Sequence, residues 1–343
     1  MKARRVTALV SAVLATAAIG LTGCGKVNPN ATAATLDGKA ISAGLVNFAA
    51  QATAVEYDTY YLSYYGPTMW TEDEGDGTTM AGNVKEEVID EIKQQYLLDA
   101  HQADYSVSLS DEDNKKIDAA VEEFFSENDP AALKKMGATK EIVKEYLRLK
   151  TVESLMQKAI GDTVDTEVSD EEAAQRTFSY YHITLPEEDA AETGAEEETE
   201  GEDLELAAYA ITVATAAKDD FDGVEELYSQ TKLQQSYGKD EEGFDAKVTE
   251  AADALSEGEV SDLIEGEDGN YYVVRLESEF DADATEARKD EIVEERKQDK
   301  IDEVVSDYEE KAAWTTVDSE IAKINFDTFY QMAYDEVETE AAE

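Results

Sequence analysis

Apolar positions along the first half of the chain fall at helical spacing, whereas the middle holds two short apolar runs of strand length. Leu36-Asp37-Gly38-Lys39-Ala40-Ile41 sets an Asp-Gly turn between short apolar segments, which predicts a hairpin. From Ser42 the period becomes helical. Tyr57, Tyr60, Tyr61, Tyr64 and Tyr65 recur at i, i+3, i+4, i+7 and i+8, so all five share one helix face until Gly66-Pro67 stops the helix. A second helix carries Val84, Val88, Ile92 and Tyr96. A third opens with Ser110 and Asp113 in capping-box spacing, runs through Ile117, Val121, Phe124 and Phe125, and is broken by Asp129-Pro130. A fourth spans about Lys140 to Ile160, with Gly161 as its C-cap.

The second half reads differently. Phe178 to Leu185 and Tyr271 to Leu276 are β-prone, while Leu204 to Lys218 and Phe221 to Tyr228 are helical. Pro186 to Asp203 holds ten acidic residues among 18 and almost nothing apolar, so it predicts a mobile loop that cannot bury enough surface to fold. A last helix places Ile292, Ile301, Val304, Tyr308 and Ala312 on one side, and Trp314 to Phe329 is an apolar tail suited to docking on another domain. His101, near Asp104 at a helix end, reads as a surface residue.

The N-terminus changes the picture. Lys2, Arg4 and Arg5 precede an apolar run from Val6 to Gly20 that is too short to span a bilayer comfortably. It ends in Leu21-Thr22-Gly23-Cys24, which resembles the bacterial lipobox. The expectation is a signal peptide over 1–23, lipidation of Cys24, a tether over 24–33, and a protein lipid-anchored on the extracytoplasmic face of a membrane. Cys24 is the only cysteine in 343 residues, so no disulfide forms within the chain. A formal charge of −52, from 29 basic and 81 acidic residues, repels phosphate backbones and argues against nucleic acid as a partner. Two histidines and no free cysteine leave no metal site and call for no cofactor.

Four segments in order resemble a parvulin-type peptidyl-prolyl isomerase domain. Phe178-Ser179-Tyr180-Tyr181-His182-Ile183-Thr184-Leu185 stands where the family has its opening strand. Lys218-Asp219-Asp220-Phe221 with Leu227-Tyr228-Ser229 resembles its first helix. Ala251-Ala252-Asp253-Ala254-Leu255 with Gly258-Glu259-Val260-Ser261, and then Asn270-Tyr271-Tyr272-Val273-Val274-Arg275-Leu276, resemble its closing helix and strand. The whole chain resembles the PrsA and SurA class of extracytoplasmic foldases.

That resemblance implies an α+β chain: a mostly helical chaperone domain formed by N- and C-terminal segments, with an inserted parvulin-like domain of a small antiparallel sheet and helices. The boundaries it suggests are 34–165 for the N-terminal helical part, 170–279 for the parvulin-like domain with its acidic loop at 186–203, and 282–343 for the C-terminal helix and tail. Parvulins use two histidines, a facing Cys or Asp, and a Met and Phe around the proline. Here His182 matches the first histidine, Tyr272 stands at the second, and Thr231 at the Cys or Asp position. Phe244 and Val248 take the Met and Phe positions of the substrate pocket. Tyr272 and Phe244 also read as ordinary packing residues in apolar runs. Tyr60 and Tyr64 offer aromatic contacts to unfolded chains, with helix packing as the competing reading. The implied function is binding of unfolded secreted polypeptides together with peptidyl-prolyl isomerisation. An inactive holdase and an unrelated surface lipoprotein of the binding-protein kind are the alternatives, and a homodimer is left open.

Overall fold

The computed structural model describes residues 13–18, 26–73, 75, 77–186, 200–239 and 243–333. Cys24 and most of the expected signal and acidic loop lie outside the described residues, whereas the expected tether is described from Lys26 onward, and its end departs from a free linker because Thr32 and Ala33 already belong to a strand, with Ala33 fully buried. Of the signal segment, only Val13–Ala18 is described, as strand β1. The chain divides into two units, one built from residues up to Val164 and from Lys297 onward, the other from Asp165–Arg296. Helical N- and C-terminal segments thus pack together, with an antiparallel-sheet domain inserted between them.

In the helical unit, β2 (Thr32–Leu36) and β3 (Lys39–Ser42) form the expected hairpin. Its turn needs left-handed backbone at Asp37 and Gly38, with φ of 48° and 81°, which an Asp-Gly pair adopts at low cost. Helix α1 (Ala43–Tyr65) starts at Ser42, whose hydroxyl accepts the N–H of Leu45, and ends at Gly66. Helices α2 (Met80–Ala100), α3 (Asp111–Glu127), α4 (Pro130–Met136) and α5 (Lys140–Gly161) follow. Ser110 and Asp113 form the reciprocal capping box. Asp129-Pro130 ends one helix and starts another, because Pro fits a first helical turn and Asp129 caps it. Gly161 belongs to α5, and Asp162 caps it instead: the chain stays right-handed there, so glycine's freedom is not needed.

The C-terminal part closes this core. Helix α9 (Ala282–Glu309) sends Ile301 and Val304 into a cluster with Leu98, Val152, Met156 and Ile160. Strand β8 (Trp314–Thr316) joins the hairpin in the order β3-β2-β8. After α10 (Asp318–Ile321), β9 (Thr328–Ala333) runs antiparallel to β1. Ile324, Phe326, Phe329 and Tyr330 are buried, and Phe326 stacks on Trp70 at 4.3 Å. A polar clasp accompanies them. Asp58 on α1, almost fully buried, accepts from Trp70 Nε1 at 3.0 Å and from the backbone N–H of Tyr330 at 2.8 Å. The Tyr330 hydroxyl donates to Gln51, whose amide donates to the Asn325 carbonyl. His101 lies at the surface at the end of α2, bonded to Asp104 at 2.9 Å and with its ring stacked on Tyr308 at 3.7 Å.

The inserted unit is a four-stranded antiparallel sheet in the order β5-β4-β7-β6, made of β4 (Gln175–Ile183), β5 (Lys232–Gly238), β6 (Ile264–Glu265) and β7 (Tyr271–Ser278). Helix α6 (Glu200–Asp219) starts inside the segment read as acidic loop, a departure from the expected loop over its last residues. It covers one sheet face through Ala210, Val213, Ala214 and Ala217 against Tyr181, Ile183 and Val273. The short α7 (Val224–Tyr228) follows. Helix α8 (Ala246–Asp253) covers the other face through Val248 and Ala252 against Phe178, Val274 and Leu276. Alternation along β4 separates the faces, with Tyr181 and Ile183 toward α6 and Phe178, Tyr180 and His182 on the α8 side.

Candidate functional site

The register of the sheet decides which of the candidate residues meet. His182 pairs with Tyr272 across β4 and β7, and their rings stack at 5.3 Å with 25° between planes. Tyr181 pairs with Lys232, the first residue of β5, so Thr231 is carried to the end of β5 that lies beside His182. Gln230 pins those ends together. Its amide accepts the N–H of Thr184 at 3.0 Å and donates to the carbonyls of Thr184 and Tyr228. Thr231 itself is exposed.

Beside His182 an aromatic wall forms on the α8 side. Phe244 sits edge-on to Tyr180 at 4.9 Å and to Phe178 at 5.5 Å, and Tyr272 lies 6.2 Å from Phe244. Tyr180, His182 and Phe244 are half-buried, whereas Val248 is fully buried beneath them. The wall therefore consists of the Tyr180, Phe244 and Tyr272 rings, and Val248, expected to line the pocket together with Phe244, lies buried beneath them. Tyr180 was missed in the sequence because its alternation partner Tyr181 carries the same chemistry on the opposite face.

Asp268 was missed as well. The β6–β7 connection turns through Gly266-Glu267-Asp268-Gly269, with Gly269 at φ 79° and the Gly266 N–H on the Asn270 carbonyl at 2.8 Å. A side chain at Gly266 would meet the Asp268 and Asp245 carboxylates and the Tyr272 ring within 3 Å, so only glycine lets them converge. Asp268 accepts from the Tyr272 hydroxyl at 2.7 Å, from Asn270 Nδ2 at 2.8 Å and from the Asn270 N–H at 2.9 Å. Hydrogen bonds from Asn270 and Tyr272 hold its carboxyl down at about 2, and burial together with the Asp268 anion pushes the Tyr272 hydroxyl up to about 12. The Asp-Gly pair at 268–269 was the available signal, the same turn chemistry that marks the first hairpin.

On the α6 side, a cavity of about 300 Å³ is lined by Ser179, Lys232, Gln234, Arg275 and Glu277. Asp222 binds both of its cations, Lys232 at 2.8 Å and Arg275 at 2.9 Å, so this polar cleft is internally neutralised and stands apart from His182. Tyr60 and Tyr64 belong to the helical unit, where both rings are exposed, while Tyr57, Tyr61 and Tyr65 form a chain of ring contacts. Among the described residues no helix is long and apolar enough to cross a membrane.

Residues 170–290, about a third of the chain, match the family described as PPIC-type PPIASE domain. No curated protein matches the chain. Among solved structures, a SurA-like chaperone of Campylobacter jejuni is 12% identical, covering 84% of this chain and 99% of its own, with a TM-score of 0.32. The foldase PrsA of Streptococcus pneumoniae is 19% identical over 69% of this chain and 91% of its own, at 0.31. PrsA of Lactococcus lactis is 17% identical over 86% and 98%, at 0.33. The inserted unit carries a PPIC-type parvulin domain.

Proposed function

We propose that the chain is an extracytoplasmic foldase, anchored to a membrane through Cys24, that binds unfolded secreted polypeptides and isomerises their Xaa-Pro bonds. The observation that carries this reading is the His182–Tyr272 pair, set beside an aromatic wall inside a PPIC-type domain. Rotation about an Xaa-Pro bond faces a barrier of ~18 to 20 kcal/mol and needs no covalent step. A site accelerates it by holding the prolyl ring against apolar rings and by keeping water from the amide while it twists. Tyr180, Phe244 and Tyr272 supply the rings. His182 and Thr231 supply polar atoms at the same edge of the sheet.

Exchange of Xaa-Pro peptides followed by NMR with the full chain tests this reading. Wild type is expected to speed cis/trans exchange, and His182→Ala to lower that acceleration by tenfold or more. Unchanged exchange in the presence of wild type would remove the isomerase. A second reading, a holdase without catalysis, draws on the exposed rings of Tyr60, Tyr61, Tyr64 and Tyr65 on α1. It predicts that suppression of aggregation of a denatured protein falls in the Tyr60→Ser, Tyr64→Ser double variant and persists in His182→Ala. For the anchor, Cys24→Ala is expected to leave the chain unprocessed or released, and a membrane-bound variant of mature size would contradict it.

A further inference from the structure

We infer that Asp268 makes the site selective for peptides carrying a lysine or arginine side chain beside the proline. The inference rests on the isomerase reading above and deepens it. Tyr272 stands next to His182, and its hydroxyl has one proton, which it gives to Asp268 Oδ2 at 2.7 Å. Toward a bound peptide the Tyr272 oxygen therefore presents lone pairs alone, and it accepts rather than donates. Asp268 adds the charge. Its two oxygens offer about four acceptor positions, of which Asn270 takes two and Tyr272 one, leaving a position on Oδ1 open to solvent.

The remaining groups around the turn reinforce one sign. Asp245, which caps α8, also accepts the N–H of Glu267 and lies against Gly266. Glu265 and Glu267 flank it. Lys247 donates to the backbone carbonyls of Glu265 and Gly266 at 3.0 and 3.3 Å, and His182 is the other basic side chain near the Asp268 carboxylate. A ligand that brings hydrogen-bond donors and positive charge to the hydroxyl end of Tyr272 finds acceptors on both oxygens there. A ligand with a carboxylate meets repulsion. The long stems of Lys and Arg reach past the aromatic wall while the head stays in water.

The test is cis/trans exchange by the full chain on peptides that differ only in having Lys, Gln or Glu before the proline. A unit charge about 4 Å from a carboxylate in water-like surroundings gives roughly a fivefold step. The expected order of kcat/KM is Lys over Gln over Glu, about fivefold per step, expressed in KM and compressed at high salt. Asp268→Asn keeps an acceptor for Tyr272 and is expected to collapse the ranking. Asp222→Asn, which removes one charge from the opposite sheet face, is expected to retain it. Equal handling of all three peptides by wild type, or a ranking unchanged in a folded Asp268→Asn, overturns the inference and leaves the isomerase standing. Absence of exchange with every peptide overturns the isomerase reading, and the inference falls with it.

Discussion

The helical unit and the inserted domain each set a carboxylate beside a tyrosine, and the two pairs behave in opposite ways. Asp58 is buried with Trp70 and Tyr330, and burial pushes its carboxyl up from 3.8 to about 6 in spite of two donated hydrogen bonds. Asp268 lies in solvent with a similar set of donors, and there the same kind of bonds prevail and hold it at about 2. Hydrogen bonding favours the anion in both places, and water decides the outcome. The buried pair serves architecture, since it clasps the C-terminal segment onto α1. The exposed pair leaves an acceptor free, which suits it to a passing ligand.

Removing the buried carboxylate is expected to have the largest effect. Asp58→Ala strands the Trp70 Nε1–H and the Tyr330 N–H in an apolar setting, at about 1 to 3 kcal/mol each. The expected loss is on the order of 2 to 4 kcal/mol, less than the full sum because the cost of burying the carboxylate disappears with it. Urea unfolding of the helical unit measures this, and a loss below about 1 kcal/mol would show that the clasp is idle. The pH dependence carries its own sign. A folded-state value above the unfolded one means that the folded unit binds the proton more tightly, so the contribution of Asp58 falls as pH rises from 3.8 through about 6. Relative to wild type, Asp58→Asn is expected to flatten stability over that interval, and parallel curves would contradict the assignment.

The clasp also shows where the sequence was readable and where it was not. Local signals named the Asp37-Gly38 turn, the Ser42 start of α1 and the Ser110 capping box, because each depends on residues within a few positions of one another. The apolar tail after Trp314 was legible as a docking segment from its composition. Its partner atoms were not, since Asp58 and Tyr330 lie 272 positions apart and nothing local marks an aspartate as buried. Strand β5 escaped because Lys232–Gly238 is mostly polar, with exposed or half-buried positions until Tyr237. At the site, the four parvulin-like segments singled out His182 and Tyr272, which the sheet register pairs. Asp268 and Gln230 act through hydrogen bonds made after the sheet has formed, which sequence spacing does not reveal.

The smallest expected effect on stability is also the sharpest test of the contrast. Tyr272→Phe removes the hydroxyl that donates to Asp268 but keeps the ring against His182 and Phe244. The carboxylate left behind is exposed, so water replaces the lost donor and the change in stability is expected to stay within about 0.5 kcal/mol. Tyr330→Phe makes the same chemical change in the helical unit, where the partner Gln51 is buried, and is expected to cost about 1 to 3 kcal/mol through the unpaired amide oxygen. Parallel melting of the two variants resolves the difference. If both lose equal stability, then the Tyr272–Asp268 pair is a structural clasp like the other one, and its place in peptide recognition has to be given up.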